Sequence, residues 1–184
     1  MDNKTRERLI RYWLNSAKRH VRKTDGKTSA FISVRLDAPI EAVWKAWTDQ
    51  TEISLWFAKV TGDIEEGNEI TIDVGAPCTI SSKILELRYR KLIHFTWFYP
   101  GRVTDEVEVR FSHDGSSTVL ELEQYSTDTS NWWYGAGSGW ESALLKLSLL
   151  LSGNDPRSIS NNTFDETFGP LWLAAGDPGP TNEN

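Results

Sequence analysis

The chain is short of cysteine, of histidine and of long apolar runs, and each shortage excludes a class of protein. A single cysteine, Cys78, excludes an intrachain disulfide and suits a reducing compartment, so we expect a cytoplasmic protein. The charged N-terminus lacks the apolar core of a signal peptide, and no stretch approaches the roughly 18 apolar residues of a membrane-spanning helix. The sequence therefore predicts neither a disulfide-stapled nor a membrane-embedded protein.

The few histidines form no recognisable metal site or catalytic motif. His20, His94 and His113 lie on separate predicted elements, and with Cys78 they give no close pair such as C-x-x-C or H-x-x-x-H. No serine, cysteine or carboxylate stands at a recognised motif spacing from His94. The glycines of residues 135–139 follow neither the dinucleotide nor the P-loop spacing and indicate a flexible hinge. We expect no catalytic residue, no metal and no cofactor.

The charge is distributed unevenly along the 184 residues. Residues 1–30 carry nine Lys/Arg against three Asp/Glu, so this segment is +6 and the remainder −12 within a net charge of −6. Apolar residues recur there at helical spacing: Leu9, Ile10, Trp13, Leu14, Ala17 and Val21. The pattern predicts that residues 1–29 are a basic amphipathic helix added to the main domain.

The partner of that helix is left open by the sequence. Its apolar stripe could pack on the acidic domain, on a second copy of the chain or on another protein, as most amphipathic helices do. Docking on a membrane surface is an alternative, because Trp and Leu opposite Lys and Arg are typical of interfacial helices. Nucleic acid is disfavoured, since a domain of −12 repels phosphates.

Between residues 70 and 125 the chain is mostly β-like. Five runs rich in β-branched or aromatic residues are separated by turns, at residues 70–74, 79–87, 92–98, 103–111 and 118–125. The sequence Asp114-Gly115-Ser116-Ser117 marks a hairpin between the last two. Apolar and charged residues alternate in these runs, as in Val107-Glu108-Val109. The alternation predicts an antiparallel sheet with one wet face and one dry face.

A long apolar helix follows the predicted strands, from Gly139-Trp140 to Leu151. Its polar residues are confined to Glu141, Ser142, Lys146 and Ser148, so it must be buried on more than one side. The sheet covers one side, and residues 164–173 (FDETFGPLWL) are the candidate for the other. They belong to a C-terminal extension, residues 152–184.

Several short segments follow one another in an order and spacing typical of one protein family. They are Ala38-Pro39-Ile40 with Val43-Trp44, then Trp56-Phe57, the strand Leu92–Trp97, and Gly139-Trp140 before the last helix. Over residues 30–151 this pattern resembles the family named after the activator of the 90-kDa heat-shock protein ATPase, within the START-related (SRPBCC) superfamily. The resemblance implies an α+β helix-grip fold, in which a curved antiparallel sheet wraps around a long C-terminal helix and leaves an internal cavity. Proteins of this superfamily commonly hold apolar small molecules there.

The candidate ligand cavity combines strand, loop and helix positions. His94 and Thr96 share one face of their strand and Trp97 lies on the other, and the sequence leaves open which face lines the cavity. Trp132 and Trp133 stand in a predicted loop, residues 129–139, that the family architecture places at the cavity mouth, so we expect one of them to line or gate it. The predicted lining residues are His94, Thr96, Trp97, Val107, Val109, Leu120, Leu122, Gln124, Trp132, Trp133, Trp140, Leu144 and Leu147.

Three functions of different class remain open. The favoured one is binding or carrying a small hydrophobic molecule, oriented by polar groups such as His94, Gln124 or Tyr125. The second is a cyclase- or aromatase-like enzyme that shapes an apolar substrate in the cavity, as superfamily relatives do. The third is the co-chaperone role in the family's name. A helix of about 25 residues does not replace the separate N-terminal domain of full chaperone activators, which disfavours this role.

Overall fold

An eight-stranded antiparallel sheet curves around one long helix in the computed structural model, which describes residues 3–24, 26–75, 79–128, 132–159 and 164–176. The strands are β1 (Lys18–Thr24), β2 (Lys27–Leu36), β3 (Lys59–Thr61), β4 (Glu69–Asp73), β5 (Thr79–Arg88), β6 (Leu92–Trp97), β7 (Asp105–Asp114) and β8 (Ser117–Ser126). The helices are α1 (Asn3–Ser16), α2 (Ile40–Thr48), α3 (Gln50–Trp56), α4 (Trp133–Leu151) and α5 (Gly169–Gly176). A 3₁₀ turn, Pro156–Ser158, and a π-helical turn, Phe164–Phe168, lie between α4 and α5.

The strand order across the sheet is β1-β2-β8-β7-β6-β5-β4-β3, and neighbouring strands are antiparallel. The predicted hairpin joins β7 to β8, with Asp114 opposite Ser117. Its turn contains Gly115 at a φ of 62°, a left-handed conformation that glycine adopts without strain. The helix-grip fold expected from the sequence is confirmed.

The core lies between the concave face of the sheet and α4. Inward-facing residues of β7 and β8, such as Val107, Val109 and Leu120, are fully buried. On α4, Leu144, Leu145, Leu147 and Leu149 have no exposed surface. Each such leucine contributes about 1.5–3 kcal/mol of transfer free energy, so α4 is stable only with cover on both sides. The second cover is α5 with the π-helical turn before it, where Phe168 and Trp172 are also fully buried.

Two short helices between β2 and β3 hold aromatic residues against α4. The Asp49 carboxylate begins α3 by accepting hydrogen bonds from the backbone N–H groups of Thr51 and Glu52, at 2.9 and 3.0 Å. The indole N–H of Trp56 donates to the carbonyl of Ala46 at 2.9 Å, which ties α3 to α2. This packing places Trp56 and Phe57 beside the long helix.

The N-terminal segment differs from the single basic helix predicted for residues 1–29. The helix ends at Ser16, and β1 pairs with β2 at the edge of the sheet, with Arg19 opposite Ile32. Residues 18–24 therefore belong to the sheet itself. Their basic residues carry no clean apolar alternation, so strand formation depends on pairing with β2, which the local pattern does not show.

The apolar stripe of α1 packs on the protein's own core. Trp13 is buried, and Leu9, Ile10 and Leu14 are partly buried against the same cluster. The stripe is therefore occupied by the domain, as one of the interpretations above expected. In the described part of the chain, no helix is both long enough and apolar enough to cross a membrane.

A buried carboxylate, Glu141 on α4, joins three separate parts of the chain. Its side chain has no exposed surface. Arg19 of β1 donates from Nε to Oε2 at 2.6 Å and from Nη2 to Oε1. The indole N–H groups of Trp13 and Trp172 donate to Oε1 and Oε2 at 3.0 and 2.8 Å. These four donors offset the loss of water around a buried charge, which otherwise costs several kcal/mol.

Close packing of α5 on α4 depends on two glycines. A Cβ at Gly137 would lie 2.2 Å from the ring of Trp172, and one at Gly176 would lie 2.2 Å from the indole nitrogen of Trp133. Trp172 of α5 thus packs on Gly137 of α4, and Trp133 of α4 packs on Gly176 of α5. This exchange explains why α4 continues through a glycine-rich segment that favours a hinge in isolation.

We expect Arg19→Met to lower the free energy of unfolding by about 3–5 kcal/mol, because it leaves the Glu141 carboxylate buried without its cationic partner. Urea unfolding at neutral pH measures the change. Arg22→Met is the matched control on the same strand, since Arg22 is half-exposed and pairs at 3.3 Å with the partly buried Glu123. Its loss should stay within about 1 kcal/mol. Equal losses for the two variants would contradict the assigned role of Glu141.

We expect Gly137→Ala to destabilise the protein by about 1–3 kcal/mol, because the new methyl group overlaps the Trp172 ring. Gly135→Ala is the control within the same helix, since a Cβ there meets no atom within 4 Å. It should stabilise the protein by up to about 1 kcal/mol through helix propensity. Urea unfolding of both variants decides between packing and propensity, and a stabilised Gly137→Ala would show that α5 does not pack as described.

Candidate functional site

An open cavity of about 770 Å³ lies between the sheet, α3 and the first half of α4. Its size is within the range of about 300–1,000 Å³ found for small-molecule sites. On α4 the residues toward the cavity include Gly139, Ser142 and Ala143, and their small side chains leave this volume unfilled.

Aromatic rings form much of the cavity wall. The rings of Phe57 and Trp140 are stacked with centroids 5.1 Å apart and planes 19° from parallel. Trp97 meets Trp140 edge to face at the same centroid distance of 5.1 Å. Trp56 and Trp132 extend the wall on either side. Such a surface offers flat apolar area with little side-chain freedom to lose, which suits a planar ligand.

A chain of hydrogen bonds crosses the polar part of the wall. The indole N–H of Trp140 donates to Gln124 Oε1 at 2.7 Å, and Gln124 Nε2 donates to Asp105 Oδ2 at 2.7 Å. Because an indole nitrogen can only donate, it fixes the amide oxygen of Gln124 toward Trp140 and the amide nitrogen toward Asp105. The Asp105 carboxyl also makes a side-chain hydrogen bond with Ser126.

Two titratable groups of the cavity have pKa values displaced toward their neutral forms. Burial raises the pKa of Asp105, against the opposing effect of the hydrogen bonds from Ser126 and Gln124. Burial also lowers the pKa of Lys146, which lies on α4 two turns after Gly139. Both shifts have the sign expected where an apolar wall excludes water.

The cavity mouth carries several exposed apolar side chains. Val74, Tyr99, Val103 and Tyr134 each expose more than a third of their surface at the rim. Arg102 crosses this rim, with its guanidinium 3.9 Å from the Asp128 carboxylate. The rim is thus mostly apolar, with one pair of opposite charges.

The predicted lining residues fall into distinct groups. Trp97, Gln124, Trp132 and Trp140 line the cavity. Six apolar residues are sealed in the core between sheet and helix, each with at most 1% of its surface exposed: Val107, Val109, Leu120, Leu122, Leu144 and Leu147.

The expectation that His94 and Thr96 line the cavity is wrong, because their side chains lie on the outer face of the sheet. His94 Nε2 is 2.8 Å from Glu106 Oε2 and 3.2 Å from the Tyr125 hydroxyl, all on that outer face. Thr96 Oγ1 accepts a hydrogen bond from the backbone N–H of Lys83 at 2.8 Å. Burial, together with the hydrogen bond to Glu106, raises the pKa of Tyr125 to about 12. Of the three predicted orienting groups, only Gln124 faces the cavity.

The predicted loop over residues 129–139 is largely helical, and Trp133 does not line the cavity. Residues 133–139 are the first two turns of α4, while residues 129–131 lie outside the described part of the chain. Trp133 is only 6% exposed and packs on Gly176, with the Lys23 ammonium 4.6 Å from the centre of its ring. Its neighbour Trp132 takes the cavity position and donates its indole N–H to the Asp128 carbonyl at 2.9 Å.

Asp105 and Lys146 are cavity residues that the sequence reasoning missed, although a signal was present. Asp105 is two residues before Val107 on its strand and therefore on the inward face. A carboxylate at an inward strand position is uncommon in a soluble core and marks a functional candidate. Lys146 gives a similar signal, because it is a charged residue within a run of leucines on α4.

Among the described residues, no group of three or more His, Cys, Asp or Glu side chains is arranged to hold a metal ion. Cys78 lies outside those residues.

A curved sheet that grips a long helix and leaves an aromatic cavity between them defines a helix-grip protein of the START-related class. The sequence model of the family "Activator of Hsp90 ATPase homolog 1-like protein" matches residues 37–152. The chain belongs to this family.

Solved structures of similar proteins extend the comparison. The crystal structure of CalU16 from Micromonospora echinospora matches with a TM-score of 0.73 and 32% identity, covering 86% of this chain and 97% of CalU16. The solution structure of CalU16 gives 0.74 and 28%, covering 87% and 94%. DynU16, from the dynemicin biosynthetic locus, has 0.65 and 19%, covering 70% and 49%, a likeness in fold alone. Comparison with the curated proteins gave no match.

We expect Trp133→Ala to affect mainly the stability of the protein and Trp132→Ala mainly its binding of a ligand. Trp133→Ala should lower the free energy of unfolding by about 3 kcal/mol or more, because it empties a buried site between α4 and α5. Trp132→Ala should weaken binding of an apolar probe with a smaller loss of stability. Urea unfolding and calorimetric titration with 2-acetylnaphthalene measure the two quantities. A larger loss of stability for Trp132→Ala would reverse the assignment.

Proposed function

We propose that this protein binds a small, largely apolar molecule in the cavity between the sheet and α4. The observation that carries the proposal is the aromatic wall of Phe57, Trp97 and Trp140 around an open volume of about 770 Å³. A protein that leaves such a volume empty forgoes the contact energy its side chains would otherwise make, so the cavity is a cost to stability. That cost is explained when a ligand fills the space.

The rim of the site favours the approach of an apolar molecule. The rim residues Val74, Tyr99, Val103 and Tyr134 are apolar and exposed, so a ligand meets apolar surface before it enters. Within the wall, Gln124 is already hydrogen-bonded to both Asp105 and Trp140. Affinity then comes mainly from burial of apolar area, and orientation from one polar contact.

A second candidate function is catalysis on the bound molecule. Asp105 and Lys146 line one cavity and have pKa values displaced toward neutrality, Asp105 upward and Lys146 downward. Shifts in these directions bring both pKa values closer to neutral pH, where general acids and bases work best. A chemical change in a bound molecule would favour this candidate, whereas unchanged release would favour carriage. The co-chaperone role stays a hypothesis drawn from the family's name.

We expect the freshly purified protein to carry a discrete mass that is lost on denaturation, as measured by native and denaturing mass spectrometry. Where the cavity is emptied during purification, 2-acetylnaphthalene should add one molecule per chain. Ala143→Trp should reduce either form of binding by about tenfold or more, because Ala143 is buried and lines the cavity, so the larger side chain occupies the ligand's space.

Ala42→Trp is the matched control for that variant. Ala42 is half-buried on α2 and does not line the cavity, so the same substitution adds the same ring elsewhere. It should bind like the unaltered protein. Equal binding by Ala143→Trp and the unaltered protein, at similar thermal stability, would place the ligand outside the cavity and contradict the proposal.

A further inference from the structure

The hydrogen bonds around Asp105 fix it as an acceptor. The indole N–H of Trp140 can only donate, and it donates to Gln124 Oε1 at 2.7 Å. The amide nitrogen of Gln124 therefore faces Asp105 and donates to its Oδ2 at 2.7 Å. Gln124 is only 3% exposed, so the core holds this orientation. A donor fixed in this way favours the carboxylate form of Asp105 and opposes the rise in its pKa that burial causes.

Asp105 keeps acceptor capacity on the side of the cavity. It stands at the start of β7, is half-buried and lines the cavity. A carboxylate can accept about four hydrogen bonds. The described hydrogen bonds to Asp105 come from Gln124 and Ser126. Arg102 lines the same cavity but pairs with Asp128, at 3.9 Å. The Asp105 carboxylate can therefore accept a further hydrogen bond from a molecule in the cavity.

Acidic and basic side chains are equal in number along the cavity wall. The acidic ones are Asp105 and Asp128, and the basic ones are Arg102 and Lys146. A cationic ligand is attracted by the first pair and repelled by the second, and an anionic ligand has the reverse balance. The hydroxyl of Ser142, which also lines the cavity, can donate or accept and adds no preference. This wall suits a neutral ligand that brings one hydrogen-bond donor.

We propose that Asp105 is the recognition group of the cavity and accepts a hydrogen bond from a hydroxyl group of the ligand. The ligand class is then a neutral, planar, largely apolar aromatic alcohol of the phenol type. Its ring lies against Phe57, Trp97 and Trp140, and its hydroxyl is directed toward Asp105. The inference rests on the proposed binding function and specifies which molecules that function selects.

The selection is expected to be strong because of what happens to the wrong ligand. A molecule of the same shape without the hydroxyl removes water from Asp105 and returns no donor. A site built to hydrogen-bond a hydroxyl group rejects such an analogue, because the polar group of the protein is left unpaired. The aromatic wall alone binds both molecules equally well.

The test compares naphthalene probes titrated calorimetrically into the full chain at neutral pH. They are 2-naphthol, its isostere 2-methylnaphthalene, the acceptor-only 2-methoxynaphthalene, the cationic 2-naphthylmethylamine and the anionic 2-naphthoate. We expect 2-naphthol to bind about tenfold or more tightly than each of the others, since one hydrogen bond to a charged group accounts for a factor of this size.

Variants of Asp105 give readouts that a merely structural role would not produce. In Asp105→Asn the side-chain oxygen must face the fixed N–H of Gln124, so the new NH2 group is directed to the cavity. That group donates to either oxygenated probe, so 2-naphthol should lose its advantage over 2-methoxynaphthalene while both bind more tightly than 2-methylnaphthalene. Asp105→Leu should remove the differences among these three probes, which still bind.

Glu106→Gln is the matched control. Glu106 is the next residue on β7 and lies on the outer face of the sheet, where it contacts His94 and Tyr125. This variant should keep the full preference for 2-naphthol. Thermal unfolding checks that each variant is folded. Loss of the preference in Glu106→Gln, to the same extent as in Asp105→Leu, would contradict the role of Asp105.

The outcomes separate this inference from the binding function. Equal affinities for 2-naphthol and 2-methylnaphthalene in the unaltered protein would overturn the recognition role of Asp105 and leave cavity binding intact. Tightest binding of the amine would overturn it by showing a cation site, and tightest binding of 2-naphthoate or 2-methoxynaphthalene by showing that donors of the wall select the ligand. Failure of all probes to bind, together with no excess native mass, would overturn the binding function itself.

Discussion

The buried carboxylate of Glu141 is the interaction on which the arrangement of both chain ends depends. A charge with no exposed surface is tolerable only when donors replace its water, and here they come from Trp13, Arg19 and Trp172. Those donors belong to α1, β1 and α5, so one group fixes three elements on α4. Since Trp172 can approach α4 only over Gly137, charge and close packing act at the same place.

The cavity is a consequence of how α4 is held. On its other sides the helix presents leucines that are sealed by the sheet and by α5. Toward the cavity it presents Gly139, Ser142 and Ala143, which are too small to reach the opposite wall. Trp133 packs on Gly176 of α5 and thereby anchors the first turn of α4, whose next residues, Tyr134 to Ala136, line the mouth. The packing of α5 on the first turn of α4 therefore helps to position the residues at the mouth of the ligand site.

The sequence predicted those parts of the fold whose signal is local. Strands β4 to β8 and the body of α4 follow from alternation and apolar content, and the order of short motifs identified the helix-grip fold. Strand β1 was missed because its basic residues form a strand only through pairing with β2. The role of Glu141 depends on partners 128 and 31 residues away along the chain, which no local pattern reveals. Asp105 could have been predicted as inward-facing, because it lies two residues from Val107 on the same strand. The sequence did not show which face of its strand His94 occupies relative to the cavity.

Glu141 and Asp105 obey the same rule about polar groups in apolar surroundings and differ in how completely they satisfy it. Glu141 has donors on both oxygens and no exposed surface, so it can only stabilise the fold. Asp105 accepts a hydrogen bond from Gln124 but is only half-buried, in the wall of an aromatic cavity. A polar group in such a place can still gain a partner from a bound molecule. That difference is the physical reason to assign the first carboxyl to the stability of the fold and to place the second in the candidate ligand site.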